Sequence, residues 1–412
     1  MAVDALSSGR LAGVRLAPPV ELICFALCVA HAVYLAASFF QGSWFVDPNG
    51  QAIATDFVNV WAGGRQALDG NPVAAYDVTI HKEAEVAAVG HPFDGEYPWI
   101  YPPTFLFAAM LLALLPYVTA NAVWVFLTFP AYVAAVRGII GHRVGILLAC
   151  AYPGILSNFM AGQNGFVTAA LLGGALIFME RNPVLAGCFI GLLSFKPHLG
   201  ILFPLVLIAG GHWRVIRAAA LVVVLLVAGS WLVFGIGTWE AFFHSLSVAS
   251  QAALTDGRGD WAKLQSVFGL VRMVGGSETL AWTLQGALAG IAAILLGAMW
   301  RSKIVFDLKA AALVTGTLLT TPYLFLYDLT ALAVPMAFLL RAGWHAGPVA
   351  GEMPGLAIAC LLILIFPFVK APVGLAAVLL VALLITRRAL LLHDASRADQ
   401  RHMTVSGRQA GM

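Results

Sequence analysis

Apolar stretches long enough to cross a lipid bilayer recur throughout the chain, between residues 21 and 387. A hydrocarbon core about 30 Å thick requires roughly 20 apolar residues in a helix, and in lipid each backbone polar group must be satisfied within its own segment. Hydrophobic residues make up 61% of the 412, and only 10% are charged. A water-soluble fold of this size could not use that balance. The sequence therefore predicts an all-α, polytopic integral membrane protein.

The candidate spans predict a single membrane domain over residues 1–390, followed by a disordered cytoplasmic tail over residues 391–412. The first span is expected to remain as an anchor, because no small-residue cleavage site follows it. Several of the others are short or broken by Pro and Gly. The spans lie near residues 22–40, 101–116, 119–138, 144–160, 163–179, 183–195, 197–210, 215–236, 280–299, 304–320, 322–340, 353–369 and 371–386.

Charge is distributed unevenly between the loops, which predicts their sides of the membrane. The first loop, residues 41–99, contains eight acidic and two basic residues, whereas basic clusters occur near residues 137–143, 181, 212–217, 301–309, 341 and 387–388. We therefore expect residues 41–99 and the second polar loop, residues 237–277, to lie outside.

One segment conflicts with this orientation. If residues 101–116 and 119–138 both spanned the membrane, the basic cluster near 137–143 would lie outside. Either the segment beginning Tyr101-Pro102-Pro103 forms a re-entrant or partial helix, or the positive-inside tendency fails at this loop. The total is therefore about 12 or 13 spans.

Asp56 is the first candidate for chemistry, because it follows the first span closely, at the membrane surface. A carboxylate among apolar neighbours can have a raised pKa and accept a proton from a hydroxyl as a general base. The alternative is that Asp56 caps a helix. Arg65, nine residues later, could hold a phosphate or form an ordinary surface salt bridge.

Two polar breaks follow on the predicted outside face. Tyr101, in a Tyr-Pro-Pro sequence, could anchor the interface or contact a sugar. Gln163 and Asn164 lie in a Gly-Gln-Asn-Gly sequence, whose amides could bind sugar hydroxyls or a phosphate, although a simple helix start would explain them as well.

Two further breaks place charge inside apolar segments. Lys196 and His198 interrupt the run from 183 to 209, where an ammonium is costly unless it has a partner, faces a polar cavity or snorkels to the interface. Tyr327 and Asp328 interrupt a later run. Asp328 is a candidate partner for Lys196 or His198.

Taken in order, these motifs resemble glycosyltransferase family 87, from about residue 20 to 340. The corresponding stretches begin at Asp56, Tyr101, Gly162, Lys196, Gln265 and Thr321. The resemblance implies a GT-C fold and a transferase at the outer face of the plasma membrane. Its expected substrates are a polyprenyl-phosphate hexose, with mannose as the family-level expectation, and a lipid or glycan acceptor.

The resemblance also implies roles for individual residues. Asp56 corresponds to the family's acidic residue in the first outside loop, which deprotonates the acceptor in an inverting displacement. Lys196 with Arg65 would neutralise the leaving phosphate, so no cofactor and no metal are expected. The late motif has Tyr327 and Asp328 where some members have a His pair, which leaves donor sugar and acceptor open. The expected donor and acceptor site comprises Arg65, Tyr101, Gln163, Asn164, Lys196, His198, Tyr327 and Asp328.

Other classes of function fit the sequence less well. A secondary transporter or lipid flippase would also have broken helices and buried Lys and Asp, but we find no inverted repeat in the sequence. A polysaccharide polymerase or ligase would have its large loop late in the chain.

Nucleic-acid binding has no support, because the basic residues lie at helix ends. The five cysteines lie in apolar segments, where a thiol behaves as a small hydrophobe. The oligomeric state is left open.

Overall fold

The computed structural model describes residues 16–257, 260–369 and 371–409, and these residues are predominantly helical. They contain no β-strand, only isolated bridges between Trp44 and Val46 and between Val46 and Ala52. This architecture confirms the prediction of an all-α polytopic membrane protein. The predicted polar start of the first span, with Arg10 and Arg15, lies outside the described residues.

The α-helices are α1 (Pro18–Phe40), α2 (Phe57–Leu68), α3 (Val78–Val89), α4 (Leu106–Ala113), α5 (Tyr117–Ile140), α6 (Val144–Ala151), α7 (Ile155–Ala161), α8 (Gly165–Phe178), α9 (Pro183–Leu192), α10 (Pro197–Gly200), α11 (Phe203–Ala209), α12 (Trp213–Phe234), α13 (Ile236–Ser250), α14 (Val267–Met273), α15 (Glu278–Arg301), α16 (Phe306–Thr320), α17 (Ala333–Ala346), α18 (Glu352–Leu364) and α19 (Val373–Gln409). Shorter 3-10 helices occupy Pro72–Tyr76, Pro103–Phe105, Leu193–Phe195, Trp261–Lys263, Leu326–Leu332 and Phe366–Phe368, and a π-helix occupies Gln251–Thr255.

Six helices within the described residues are individually long and apolar enough to cross a membrane. α6 and α7 form a seventh candidate span, which is bent by 60° at its break. The remaining predicted spans coincide with shorter helices. Their short length agrees with the Pro and Gly breaks in the sequence, and the count of about 12 or 13 crossings remains a prediction. The six long candidates are Pro18–Phe40, Tyr117–Ile140, Trp213–Phe234, Glu278–Arg301, Leu326–Ala346 and Val373–Leu392.

The segment between residues 101 and 116 does not cross the bundle. Its helical part runs from Pro103 to Ala113, which at 1.5 Å per residue is about 16 Å and too short for the hydrocarbon core. Tyr117, at the start of α5, donates a hydrogen bond from its hydroxyl to the carbonyl of Ile53 at 2.9 Å. α5 therefore begins at the same end of the bundle as the first loop. Of the two alternatives, the structure favours the re-entrant or partial helix.

The first polar loop folds as a helical layer at this end of the bundle. α2 buries Phe57, Val58 and Val60 and packs against α3 and α4. Its contact with α4 requires glycine, because a Cβ on Gly64 would lie 2.1 Å from the carbonyl oxygen of Ala109. α2 is thus a buried part of the fold.

The basic residues gather at the opposite end. Arg341, near the end of α17, pairs with Asp307 at the start of α16 and donates to the carbonyl of Ile139 at 3.0 Å. Arg388 on α19 pairs with Glu352 at 2.6 Å, and the guanidinium is buried. The backbone of α19 remains helical to Gln409, where the sequence predicted a disordered tail from residue 391. Residues 410–412 lie outside the described residues.

Candidate functional site

Asp56 immediately precedes α2, but its side chain does not cap that helix. Its backbone is already helical, with φ −54° and ψ −23°, whereas a capping residue adopts an extended conformation that turns its side chain toward the first N–H groups. The carboxylate instead accepts a hydrogen bond at Oδ2 from Gln163 Nε2, at 3.0 Å. The capping interpretation of this carboxylate is therefore wrong.

The Gly-Gln-Asn-Gly turn between α7 and α8 positions Gln163. Gly162 has φ +65°, and a Cβ there would lie 2.5 Å from Asn121 Oδ1, so both conformation and space demand glycine. Asn164 Nδ2 donates to the Tyr101 hydroxyl at 2.8 Å. That hydroxyl in turn donates to Gln163 Oε1 at 3.4 Å. Asp56, Gln163, Tyr101 and Asn164 thus form one hydrogen-bonded chain.

The same turn packs directly against the late Tyr327-Asp328 segment. Asn158 accepts a hydrogen bond at Oδ1 from the Gly165 N–H at 2.8 Å and donates from Nδ2 to the Tyr327 carbonyl at 2.9 Å. A Cβ on Gly165 would lie 2.3 Å from that carbonyl oxygen. Two motifs that are far apart in sequence are therefore in van der Waals contact.

Lys196 and Asp328 form a buried ion pair with an Nζ to Oδ1 distance of 2.5 Å. Their side chains are only 6% and 2% exposed, and Asp328 Oδ2 also accepts a hydrogen bond from the Phe325 N–H at 3.1 Å. The ammonium lies 5.1 Å from the Tyr327 ring centroid. Of the two candidate partners of Asp328, Lys196 is the one that forms the ion pair, which gives the buried ammonium the partner that an apolar segment requires.

Burial raises the pKa of the Asp56 carboxyl, although the residue as a whole is partly exposed. The Gln163 hydrogen bond and the positive charges of Lys263 and Lys196 counteract that increase in part. Within the described residues Asp56 Oδ1 forms no hydrogen bond. The carboxylate therefore has one oxygen fixed by Gln163 and one available to a hydroxyl, the arrangement that a general base needs.

Lys263 lies near Asp56 and is not among the site residues that the sequence predicted. It is exposed, ends the 3-10 helix Trp261–Lys263 and lies close enough to Asp56 to influence its pKa. Gln265 fixes this helix by donating from Nε2 to the carbonyls of Ala262 and Lys263 at 3.1 and 3.2 Å. It also accepts the Gly374 N–H at 2.8 Å. The available signal was the Gln-Ser-Val-Phe motif, which begins two residues after Lys263.

Arg65 and His198 occupy different surroundings. Arg65 makes a bidentate ion pair with Asp69, at 3.0 and 2.8 Å, and both side chains are about half exposed, at 51% and 53%. This is the surface salt bridge that the sequence left as an alternative, and it is separate from the Asp56 hydrogen-bond chain. His198, partly exposed in α10, is close enough to Lys196 and Asp328 to interact with their charges.

Metal binding has no obvious ligand set in the part of the chain that the structure describes. No three His, Cys, Asp or Glu side chains there lie together as a metal site would require. All five cysteines are free thiols. Cofactor and metal independence remain predictions of the sequence.

The model of Glycosyltransferase family 87 matches residues 99–322, more than half of the chain. The match includes Tyr101, Gln163, Asn164, Lys196 and His198, whereas Asp56, Tyr327 and Asp328 lie outside it. No curated protein and no solved structure matches the chain.

Proposed function

The chain belongs to glycosyltransferase family 87 and is a membrane glycosyltransferase, and we propose that it transfers a hexose from a polyprenyl-phosphate donor to a hydroxyl of a lipid or glycan acceptor. Mannose is the proposed sugar. The observation that carries the proposal is the Asp56 carboxylate, which is hydrogen-bonded to Gln163 and close to the positive charges of Lys196 and Lys263. A base beside cations suits a reaction that removes a proton and releases a phosphate.

In the proposed reaction the acceptor hydroxyl approaches Asp56 Oδ1. The hydroxyl oxygen forms a bond to the anomeric carbon while the bond from that carbon to the phosphate oxygen breaks. The proton passes to the Asp56 carboxylate, and the electron pair of the broken bond leaves with the polyprenyl phosphate. A single displacement inverts the configuration of the anomeric carbon. The raised pKa of Asp56 makes its carboxylate a stronger base than an ordinary aspartate.

The leaving phosphate needs positive charge around it. Lys263 is exposed near Asp56, and no ion pair within the described residues occupies its ammonium. Lys196 is committed to Asp328, so it contributes a fixed charge behind the site. Arg65 is held by Asp69. We therefore assign direct phosphate contact to Lys263 and place Arg65 outside the catalytic groups.

The site is proposed to face the outside of the plasma membrane. Arg341, Arg388 and the Arg301 end of α15 lie at the other end of the bundle, and cytoplasmic ends carry the excess of Lys and Arg. A lipid-linked donor suits that face, because its polyprenyl chain can remain in the bilayer while the sugar reaches Asp56.

The experiment uses full-length protein in liposomes that contain radiolabelled polyprenyl-phosphate mannose and a lipid extract of the source cell. Wild type should move label into a new lipid, and Asp56→Asn should lower the rate by about 10²- to 10⁴-fold, the contribution of a general base. Asp69→Asn is the matched control and should retain activity within about twofold, because its ion pair is exposed. Full activity of Asp56→Asn would contradict the role of Asp56 as general base, and donor translocation without transfer would favour a flippase.

A further inference from the structure

A concave region lies at the end of the bundle remote from Asp56, between α11 and α15, which pack together. It is an apolar groove of about 420 Å³ whose walls include Leu205, Ile208 and Ile294. Gly297 lies in its wall, and a Cβ there would meet only Leu205 Cδ1, at 3.9 Å. Small side chains thus leave space on the lipid-facing surface of these helices. Arg301 lines one end of the groove.

A polar cleft of about 290 Å³ adjoins this groove. Its lining includes Glu180, His212, Trp300 and Lys309. Trp300 is only 3% exposed, and within the described residues its indole N–H has no hydrogen-bond partner. Such a buried donor is costly unless a ligand or solvent accepts from it. Gly210 preserves the space, because a Cβ there would lie 2.7 Å from the His212 ring.

The groove and the cleft lie next to each other on two chain segments. Ala209 and Arg301 line the groove, and their sequence neighbours Gly210 and Trp300 line the cleft. Arg301 and Lys309 contribute two positive charges near this boundary against the single negative charge of Glu180. Lys309 donates to the carbonyls of Trp300 and Ser302, at 3.3 and 2.7 Å, which orients its ammonium beside the end of α15. The combined site is positive and polar at one end and apolar along its length.

We propose that this groove and cleft bind one anionic phospholipid from the leaflet on the side remote from Asp56. Its phosphate accepts hydrogen bonds from Arg301, Lys309 and the Trp300 indole, and one acyl chain lies in the groove beside Gly297. Position supports a lipid over a soluble anion, since the groove opens to the hydrocarbon along α15 and the cleft lies at the helix end, where head groups lie. Ordinary boundary lipid would require only an apolar surface, without a buried indole donor or paired cations.

The test is native mass spectrometry of the full-length protein in detergent, titrated with phosphatidylglycerol and, separately, with phosphatidylcholine. Wild type should bind phosphatidylglycerol about tenfold more tightly, the effect of one or two charge-assisted hydrogen bonds. Gly297→Leu fills the groove, and Arg301→Gln removes a charge. Each should lower phosphatidylglycerol affinity about tenfold.

Matched controls are available on the same elements. Gly290→Leu makes the same change on α15 where a Cβ meets open space, and Lys303→Gln removes an exposed charge nearby. Both should leave affinity within about twofold. Unchanged binding by Arg301→Gln, or equal affinity for the two lipids, would overturn the proposal. Displacement of the lipid by millimolar glycerol 3-phosphate would contradict acyl-chain binding in the groove, whereas retention of the lipid in the presence of this competitor would support it.

Discussion

Gln163 donates a hydrogen bond from Nε2 to Asp56 Oδ2 at 3.0 Å, between residues 107 positions apart. The bond connects the start of α2 in the first loop with the turn before α8 in the bundle. It also stabilises the anionic form of a carboxyl whose pKa burial raises. The position and the proton affinity of the proposed base therefore depend on the same amide.

Gln163→Met should shift the acid limb of the pH–rate profile to higher pH. The base works only when ionised, so the rate falls as pH decreases through the pKa of Asp56. Loss of a hydrogen bond to the anion raises that pKa further. Initial transfer rates between pH 4.5 and 8 measure the shift. The exposed Gln51→Met variant is the control and should keep the wild-type profile; an unshifted Gln163→Met profile would contradict the coupling.

Variants of the Lys196–Asp328 pair should affect stability and activity differently. Asp328→Asn leaves a buried ammonium without its partner and should lower stability by about 3–5 kcal/mol. The double variant Lys196→Met/Asp328→Asn removes both charges and should recover most of that loss. It should remain inactive, because the charge behind the site is gone. Unfolding midpoints and transfer rates of the same preparations distinguish the two effects, and an active double variant would show that the pair is purely structural.

Substitutions of Lys263 and Arg65 should differ in their effect on donor binding. Lys263→Gln should raise KM for the polyprenyl-phosphate sugar about tenfold, because it removes a charged contact to the phosphate. Arg65→Gln should change KM by less than about twofold, since its ion pair with Asp69 is half exposed. Steady-state kinetics at varied donor concentration test the contrast. A larger increase in KM for Arg65→Gln than for Lys263→Gln would assign phosphate binding to Arg65 instead.

His81 and Glu85 on α3 predict a pH dependence of stability. Their side chains are buried, with His81 Nε2 3.8 Å from Glu85 Oε1. Burial lowers the pKa of His81 from 6.5 to about 4 and raises the pKa of Glu85 from 4.5 to about 7. Between roughly pH 4.5 and 6.5 the unfolded chain binds a proton at His81 that the folded chain lacks, and the folded chain keeps one on Glu85. The two contributions to the change of the unfolding free energy with pH therefore cancel in this range.

Glu85→Gln should reveal the His81 contribution alone. Stability should then rise with pH between about 4.5 and 6.5, by about 1.4 kcal/mol per unit, because the unfolded state binds more protons there. Above pH 7 the variant should exceed wild type by about 2–3 kcal/mol, since Glu85 no longer has to ionise in a buried position. Denaturant unfolding in detergent at several pH values measures both. The exposed Glu83→Gln is the matched control, and a flat profile for Glu85→Gln would refute the assignment.

Hydrophobic pattern and charge distribution specified the helices and their order. The long spans α1, α5, α12, α15 and α19 coincide with apolar runs in the sequence, because an apolar run in lipid has to close its hydrogen bonds within itself. The need for a partner at Lys196 was also readable, since an isolated ammonium is too costly in that environment. The order of motifs indicated the family.

The contacts between those segments were decided only by tertiary structure. The sequence did not decide whether Asp56 acts as a general base or as a helix cap, because a local pattern does not specify which side chain a carboxylate contacts. It also did not decide whether residues 103–113 form a re-entrant segment, because a local pattern does not specify whether a short helix crosses the membrane. Packing of α2 on α4 and the turn at Gly162 brought Gln163 to Asp56. The same packing separated Arg65 from the site and placed Lys263 beside it. The sequence by itself determined the helical membrane protein and its polar breaks, and the tertiary structure decided which of those breaks form one site, because hydrogen bonds act over a few ångströms whatever the separation along the chain.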